Sequence, residues 1–346
     1  RRVLITGAGG SIGSELARQL LSGGAERLYL FDHGENSVYE IEKELRILQE
    51  EGVGEKATIV PIIGEMQDPG YMNFIIRRLK ADVIFHCAAY KHVPLLEENP
   101  IEAIKNNVFG TKNVVEAARA NNVPRFVLVS TDKAVNPTSV YGASKSLAEE
   151  IVLGSNGGPG DYIVVRFGNV LGSRGSIVPL FTKQILKGGP VTITHPEATR
   201  FFMTIPEASS LVLKAGGVGR GGNVYILDMG EPLLIRDLAE QMIRFYGFSP
   251  ESEIPIRYIG LRPGEKVHER LWTEGEELIR TEHSGINKLD RIPRFTAPLD
   301  EVLDDLRPIC FFDSNSPEIY RNRILLRETL QNYLPTIRKA ENEPVY

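Results

Sequence analysis

The chain has 346 residues, of which 42% are apolar and 25% charged, a balance typical of a soluble globular protein. Lys and Arg total 40 against 45 Asp and Glu, so the net charge of −5 argues against a nucleic-acid-binding protein. An anionic ligand must therefore be held by a local basic pocket. No apolar run reaches the ~18 residues of a membrane span. With two cysteines and no visible signal peptide, we expect a cytoplasmic protein, or one on the cytoplasmic face of the inner membrane if a membrane region is fused to it.

The first half of the chain alternates short apolar runs with helical patterns, as in a parallel sheet covered by helices. The predicted strands are residues 3–5, 28–31, 59–63, 83–87, 126–130 and 162–167. Predicted helices are the segment after the first strand, with Ile12, Leu16 and Leu20 on one face, and residues 38–48, 108–120 and 139–153. These elements predict an α/β fold: a Rossmann doubly wound parallel sheet over residues 1–168.

The second half differs in character, because Gly, Pro and Arg become frequent in loops around residues 168–179 and 257–263. Residues 180–186, 208–215 and 233–245 have helical patterns, and residues 224–227 are β-like. We expect residues 169–346 to form a smaller, mixed C-terminal lobe that binds substrate and closes over the open edge of the sheet. A segment near residues 224–245 is expected to return to the first domain.

A glycine-rich turn follows the first strand and opens the first helix. Gly7, Gly10 and Gly13 have the spacing required for a tight turn, close approach to a pyrophosphate, and close helix–strand packing. The free N–H groups at the helix start, including those of Ser11 and Ile12, favour phosphate there. This region therefore predicts a dinucleotide-binding site.

Acidic residues follow the second and third predicted strands. Asp32 lies nineteen residues past Gly13, where a carboxylate can bind ribose hydroxyls and repel a 2′-phosphate. This favours NAD over NADP, although a simple turn residue before His33 and Gly34 is the alternative. Glu65 is placed where an acidic side chain can meet adenine.

A strand-end polar run and a helix carry the candidate catalytic groups. Tyr141 and Lys145 are four residues apart, and so lie on one helical face. A phenol beside an ammonium and a nicotinamide cation is expected to have a lowered pKa, so that it can take a proton from a sugar hydroxyl. Residues 130–133, Ser-Thr-Asp-Lys, precede this pair.

These motifs resemble the extended short-chain dehydrogenase/reductase family, and more narrowly bacterial UDP-N-acetylglucosamine 4,6-dehydratases of capsule and flagellar-glycan biosynthesis. The resemblance reaches to about Leu289. The segments that carry it are residues 7–15 (GAGGSIGSE), 88–95 (AAYKHVPL), 131–137 (TDKAVNP) and 200–204 (RFFMT). The Thr-Asp-Lys run at 131–133 and the run at 200–204 are its most specific parts.

The resemblance implies a role for each catalytic candidate. Tyr141, with Lys145, deprotonates the C4 hydroxyl while C4 gives hydride to the cofactor, and Thr131 hydrogen-bonds the C4 oxygen. Lys133 then removes the C5 proton, and Asp132 protonates the departing C6 hydroxyl. A lysine base must be neutral, so we expect a lowered pKa for Lys133 and a retained proton on Asp132.

The resemblance also implies ligand-binding residues. Asn107 is expected to support the site, unless it is only a helix cap. Cofactor contacts are expected from Ala88, Ala89 and Lys145, besides the residues named above. Loop arginines suit a diphosphate, and the expected substrate-binding residues are Lys91, His92, Asn169, Arg174, Arg200, Arg262 and Glu265. The histidines lack metal-site spacing, so no metal is expected, whereas a homo-oligomer is.

Two other functions remain open. A sugar-nucleotide 4-epimerase shares the fold, cofactor and Tyr–Lys pair, but needs no acid and base for elimination, so Asp132 and Lys133 favour the dehydratase. A non-catalytic cofactor-binding sensor would tend to lose Tyr141 and Lys145. The sequence leaves open the stereochemistry at C5, the nucleotide of the substrate and the oligomeric state.

Overall fold

A computed structural model describes residues 1–292 and 297–337 of the chain. The strands are β1 (Arg2–Thr6), β2 (Arg27–Asp32), β3 (Thr58–Ile63), β4 (Val83–His86), β5 (Arg125–Thr131), β6 (Asp161–Phe167), β7 (Asn169–Leu171), β8 (Val191–Ile193), β9 (Thr199–Arg200), β10 (Phe202–Thr204), β11 (Val224–Leu227), β12 (Leu233–Leu234), β13 (Ile256–Tyr258), β14 (Glu277–Arg280) and β15 (Ile286–Asp290).

The helices alternate with these strands through the first half of the chain. They are α1 (Ser11–Ser22), α2 (Glu35–Glu50), α3 (Pro69–Leu79), α4 (Val93–Glu98), α5 (Pro100–Ile104), α6 (Thr111–Ala120), α7 (Val140–Gly154), α8 (Ile177–Leu186), α9 (Ile205–Val218), α10 (Ile235–Phe245), α11 (Leu299–Cys310) and α12 (Arg323–Tyr333). Within the described residues, no helix combines the length and apolarity needed to cross a membrane.

One large sheet organises the fold. Over the described ranges it has nine strands in the order β14-β15-β11-β6-β5-β4-β1-β2-β3. The seven strands from β3 to β11 run parallel, and β15 and β14 add an antiparallel hairpin at the edge. The 3-2-1-4-5-6 order at its centre is that of a doubly wound Rossmann sheet, so the predicted fold class is confirmed. The apolar strands are buried because helices cover both faces.

The second half of the chain is divided between this sheet and a smaller lobe. β11, β14 and β15 extend the sheet beyond β6, and α9 packs against it. A separate apolar core joins α8, α10 and β8 in the smaller lobe. Within residues 224–245, the strand at 224–227 lies in the large sheet, whereas α10 belongs to the apolar core of the smaller lobe. The division of the chain into two domains stays a prediction. Residues 338–346 of the predicted lobe lie outside the described residues.

Several elements have no counterpart in the sequence-based prediction. The helix expected from residue 108 begins with a π-helical turn, Lys105–Gly110, that continues into α6. The short edge strands β14 and β15 bury only part of one face, so their sequences lack the continuous apolar run of the central strands. α3 starts at a cap in which Asp68 accepts a hydrogen bond from the backbone nitrogen of Tyr71. The helices α11 and α12 near the end of the described chain pack against α5.

Candidate active site

A cavity of about 700 Å³ lies at the carboxyl ends of β1, β4 and β5. The glycine-rich loop borders it on one side and the loop after β6 on the other. A second cavity, of about 260 Å³, opens around the end of β2. The chain reverses its strand order between β1 and β4, and this switch point is where doubly wound sheets bind ligands.

The glycine-rich loop is packed too closely for side chains. Gly7 has φ of +69°, and a Cβ there would lie 2.6 Å from the backbone nitrogen of Ala88. A Cβ on Gly13 would lie 2.1 Å from the carbonyl oxygen of Gly7. Gly10 precedes the first turn of α1, and Ser11 begins it. The loop thus presents backbone N–H groups, rather than side chains, to the cavity.

Asp32 ends β2 and stabilises the turn that follows it. Its carboxylate accepts hydrogen bonds from the backbone nitrogens of Gly9, at 3.0 Å, and Gly34, at 3.1 Å, so it shapes the turn. It also faces the smaller cavity. The other cofactor-binding candidates that line this cavity are Gly7, Gly10, Glu65, Ala88 and Ala89.

An acid and an amine meet directly after β5. Asp132 is fully buried, and its Oδ1 accepts hydrogen bonds from Thr131 Oγ1, at 2.8 Å, and Lys133 Nζ, at 3.0 Å. Lys133 Nζ also donates to Asn169 Oδ1 at 3.1 Å. The Lys133 side chain is 23% exposed and lines the 700 Å³ cavity. A proton can therefore pass between acid and amine without rearrangement.

Helix α7 brings the other two catalytic candidates to the same cavity. Ser139 caps the helix by accepting a hydrogen bond from the backbone of Gly142 at 3.0 Å. One turn into the helix, Tyr141 and Lys145 both line the cavity. Lys145 Nζ donates to the carbonyl oxygen of Val129 on β5 at 2.8 Å, which fixes the ammonium beside the strand end.

Burial, more than neighbouring charge, decides the pKa values of the helix pair. Burial raises the pKa of Tyr141 to about 12, although the charge of Lys133 lowers it. Among the chain's own residues, desolvation of the phenolate thus outweighs the nearby cation and raises the pKa of Tyr141. The expected lowering, which includes the charge of a nicotinamide cation, stays a prediction. Burial lowers the pKa of Lys145 to about 8, against the opposing effect of Glu149.

Lys133 also departs from the expectation. Burial lowers its pKa, but the carboxylates of Asp132 and Glu269 act in the other direction and, with Tyr141, leave the pKa above its usual value. The residues around Lys133 therefore do not lower its pKa as expected, and Asp132 forms an ion pair with it at 3.0 Å.

A buried ion pair lies beneath the catalytic groups. Arg166 is fully buried and donates to both oxygens of Glu149, at 3.1 and 2.7 Å. Ser130 Oγ donates to Glu149 at 2.6 Å, and Arg166 donates to the carbonyl oxygen of Leu271 at 2.7 Å. This pair joins β5, β6 and α7 to the chain segment after residue 264.

Asn107, in the π-helical turn, supports the loop after β4. Its side-chain oxygen accepts a hydrogen bond from the backbone nitrogen of Tyr90 at 2.8 Å, and its amide donates to the carbonyl of Tyr90 at 2.9 Å. The same amide donates to Ser144 on α7 at 2.9 Å. Asn107 is therefore a support of the site and not a helix cap.

His86 is structural. Its ring nitrogens pair with Thr6 Oγ1, at 2.7 Å, and Thr111 Oγ1, at 2.9 Å. Burial lowers the pKa of His86 to about 3, so it is neutral. The described part of the chain contains no group of three or more His, Cys, Asp or Glu that could hold a metal ion.

The structure brings four of the seven substrate-binding candidates to the large cavity: Lys91, His92, Asn169 and Arg174. Arg174 also contacts the glycine-rich loop. Its backbone nitrogen donates to Ser11 Oγ at 3.3 Å and its guanidinium to the carbonyl of Gly9. Arg174 therefore borders both cavities.

The other three candidates lie elsewhere. Arg200 donates to the backbone carbonyls of Thr199, Lys266 and Val267, at 2.7 to 2.9 Å, and so holds a loop. Arg262 is exposed and borders none of the described cavities that contain the catalytic groups. Glu265 and Arg200 line a smaller cavity of about 110 Å³, which Lys133 and Glu269 also line.

Glu269 and Lys266 were missed by sequence reasoning. Glu269 is buried, with Oε1 4.0 Å from Lys133 Nζ and Oε2 3.6 Å from Lys266 Nζ. They lie more than 130 residues after Lys133, within a loop that has no periodic pattern. Only the fold places them at the site.

The sheet order, the glycine-rich loop and the Tyr–Lys pair on α7 define an extended short-chain dehydrogenase/reductase. Within this class the chain belongs to the family described as polysaccharide biosynthesis protein, which matches residues 3–290. The resemblance to the extended short-chain dehydrogenase/reductase family and to polysaccharide-biosynthesis proteins is thereby confirmed, with nearly the same end point.

Two curated relatives show the range of the family. The capsular polysaccharide biosynthesis protein CapD of Staphylococcus aureus is 50% identical over 278 residues, which cover 80% of this chain and 46% of CapD. A UDP-glucose 4-epimerase of Rickettsia typhi is 40% identical over 208 residues, 59% of each chain. The chain thus spans about half the length of the CapD-type relative.

A solved structure agrees with the fold. The Bordetella bronchiseptica enzyme WbmH, in complex with NAD+, has a TM-score of 0.61 and 26% identity, over 75% of this chain and 86% of WbmH. The agreement extends beyond the central sheet, since three quarters of the chain is covered.

Proposed function

We propose that the chain is a nucleotide-sugar 4,6-dehydratase unit that acts on UDP-N-acetylglucosamine and forms a UDP-4-keto-6-deoxy-N-acetylhexosamine for surface-glycan synthesis. The observation that carries this proposal is the Asp132–Lys133 pair: the fully buried Asp132 lies 3.0 Å from the Lys133 amine, and Lys133 lines the cavity of Tyr141 and the glycine-rich loop. Oxidation at C4 needs only a Tyr–Lys pair, whereas elimination of water across C5 and C6 needs a further acid and base.

A nicotinamide dinucleotide fits the residues at the switch point. Its pyrophosphate would lie on the backbone of residues 7–13, where Gly7 and Gly13 leave no space for a Cβ. Asp32 would hold the adenosine ribose, and Tyr141 and Lys145 would border the nicotinamide. The bound dinucleotide supplies the hydride acceptor and donor. The Asp32 carboxylate favours NAD over NADP because it would repel a 2′-phosphate.

The side chains then divide the proton transfers among them. Tyr141 Oη takes the proton of the C4 hydroxyl, helped by the Lys145 ammonium. Lys133 Nζ takes the C5 proton after C4 has become a ketone. Asp132 gives its proton to the C6 oxygen, which leaves as water. Lys133 then returns its proton to C5 as C6 receives the hydride back from the reduced dinucleotide, which gives the 4-keto-6-deoxy sugar. The hydrogen bond from Thr131 orients the Asp132 carboxyl group for this transfer.

Substrate recognition is proposed for Lys91, His92, Asn169 and Arg174, which line the catalytic cavity. Arg174 is the candidate for the diphosphate, since a guanidinium can bind phosphate with two hydrogen bonds. Arg200 and Arg262 are not proposed, given their other contacts and positions. Homo-oligomerisation, a fused membrane region and a cytoplasmic location stay predictions.

A 4-epimerase is the second candidate, supported by the similarity to the Rickettsia typhi epimerase. It would use Tyr141 and the dinucleotide without a role for Asp132 and Lys133. The test incubates the protein with UDP-N-acetylglucosamine and NAD or NADP, then measures product mass. Loss of one water supports the dehydratase, whereas unchanged mass with inversion at C4 supports the epimerase. A sensor module would give neither.

Lys133→Ala is expected to bind the cofactor normally but to lose dehydration by at least about a hundredfold, because the C5 base is gone. Product mass and nucleotide binding by calorimetry are the measurements. Lys187→Ala, which removes an exposed lysine of the smaller lobe, is the matched control. Full dehydration activity in Lys133→Ala would show that Lys133 is not the base.

A further inference from the structure

Glu269 is a buried carboxylate to which no role has yet been assigned. Its side chain is only 4% exposed, and it lies between two amines, 4.0 Å from Lys133 Nζ and 3.6 Å from Lys266 Nζ. Its Oε2 has no hydrogen-bond partner within the described residues. A buried charge of this kind lowers the stability of the fold unless it is paired with a nearby cation.

The segment that carries Glu269 is anchored on both sides. Arg200 donates to the carbonyl oxygens of Lys266 and Val267, before Glu269. Arg166 donates to the carbonyl oxygen of Leu271, after it. Arg200 lies on β9 and Arg166 on β6, so the carboxylate is presented to Lys133 by the scaffold and not by a free loop.

Three oxygens surround the Lys133 amine, two at hydrogen-bond distance and one at ion-pair distance. These are Asp132 Oδ1 at 3.0 Å, Asn169 Oδ1 at 3.1 Å and Glu269 Oε1 at 4.0 Å. The other charged or titratable groups around Lys133 are Lys91, Tyr141, Arg200 and Lys266.

We propose that Glu269 is a positioning residue, which holds the Lys133 amine in place and keeps one proton on the Asp132–Lys133 pair. This inference rests on the proposed dehydration. Its geometric basis is the fixed carboxylate beside an amine that already contacts the acid. The pKa of Lys133, raised by Asp132 and Glu269 against the larger single effect of burial, agrees with it.

The elimination requires that single proton. When it moves from Lys133 Nζ to Asp132 Oδ1, the pair becomes a neutral amine and a carboxylic acid. The amine then takes the C5 proton, the C–H electrons form the C5–C6 double bond, and the C6–O bond breaks. The departing oxygen takes the Asp132 proton and leaves as water, so the pair again holds one proton, on Nζ. A pair without a proton lacks the acid.

Glu269→Gln is therefore expected to shift the high-pH decline of dehydration toward lower pH by about one unit. The reason is that a nearby carboxylate helps an amine to retain its proton, and the variant removes that carboxylate. Activity below that decline should be retained. Glu269→Asp should restore part of the shift. Glu276→Gln is the control, since Glu276 is a buried carboxylate that accepts a hydrogen bond from the backbone of Thr273 and lines none of these cavities.

A second measurement does not depend on turnover. Acylation of the Lys133 amine by acetic anhydride, followed against pH by peptide mass spectrometry, reports the neutral amine directly. Half-labelling is expected at lower pH in Glu269→Gln than in the wild type and in Glu276→Gln. Unchanged labelling and an unchanged pH profile would overturn the role of Glu269. If the wild-type protein removes no water while the labelling of Glu269→Gln is still shifted, the result would instead refute the proposed dehydration.

Discussion

At the residue scale, three arginines in similar loop contexts have three different environments. Arg174 donates to the glycine-rich loop and borders both cavities. Arg200 is committed to backbone carbonyls, and Arg262 is exposed. Loop composition predicts phosphate-binding arginines as a class, but the partners of each guanidinium decide which one is available.

Arg174→Ala is expected to weaken nucleotide binding about tenfold or more, since a charge-assisted hydrogen bond contributes about 1.5–3 kcal/mol. Arg262→Ala, at an exposed position, should change affinity by less than about twofold. Titration calorimetry with NAD and with UDP-sugar measures both. Equal effects of the two variants would contradict the proposed binding of a diphosphate by Arg174.

At the element scale, α1 and α7 bring backbone amides and side chains to the cavity in different ways. α1 approaches the loop so closely that Gly13 contacts Gly7 without room for a Cβ. α7 is buried along most of its length, so Tyr141 and Lys145 face the cavity from a helix that has little freedom to move. Both helices present their first turns at the carboxyl ends of the strands.

Gly13→Ala is expected to abolish dinucleotide binding, because the new Cβ would lie 2.1 Å from a backbone oxygen and must displace the loop. Gly217→Ala in α9 is the control, since a Cβ there meets nothing within 4 Å. The control should stabilise its helix by up to about 1 kcal/mol. Binding is measured by calorimetry and stability by thermal unfolding; normal NAD binding by Gly13→Ala would contradict the assigned loop.

At the scale of the whole molecule, the buried Arg166–Glu149 pair joins the large sheet to the segment that carries Glu269. Arg166 is fully buried and reaches both Glu149 on α7 and the carbonyl of Leu271. Fold stability and the position of Glu269 therefore depend on the same ion pair.

Arg166→Met is expected to lower the free energy of unfolding by about 3–5 kcal/mol, because it leaves Glu149 as an uncompensated buried charge. Urea unfolding followed by circular dichroism measures it. Arg236→Met removes an exposed partner of Glu240 and should have a much smaller effect. The double variant Arg166→Met with Glu149→Leu should recover most of the loss; equal effects of Arg166→Met and Arg236→Met would contradict the role of the buried pair.

Much of the first half was predictable because its signals are local. The central strands are continuous apolar runs. The glycines before and within the first turn of α1 are required by close contacts within one βα unit. Tyr141 and Lys145 share a face because a helix places residues four apart together. The edge strands β14 and β15, and the division of residues 224–245 between sheet and smaller lobe, lacked such local signals.

The sequence by itself thus determined the doubly wound sheet, the dinucleotide loop and the Tyr–Lys pair, since each follows from short-range periodicity or spacing. Only the tertiary structure decided that Glu269 faces Lys133, that Arg200 holds a loop, and that Tyr141 and Lys133 have raised pKa values. These properties depend on burial and on contacts between residues far apart in the chain, which no local pattern encodes.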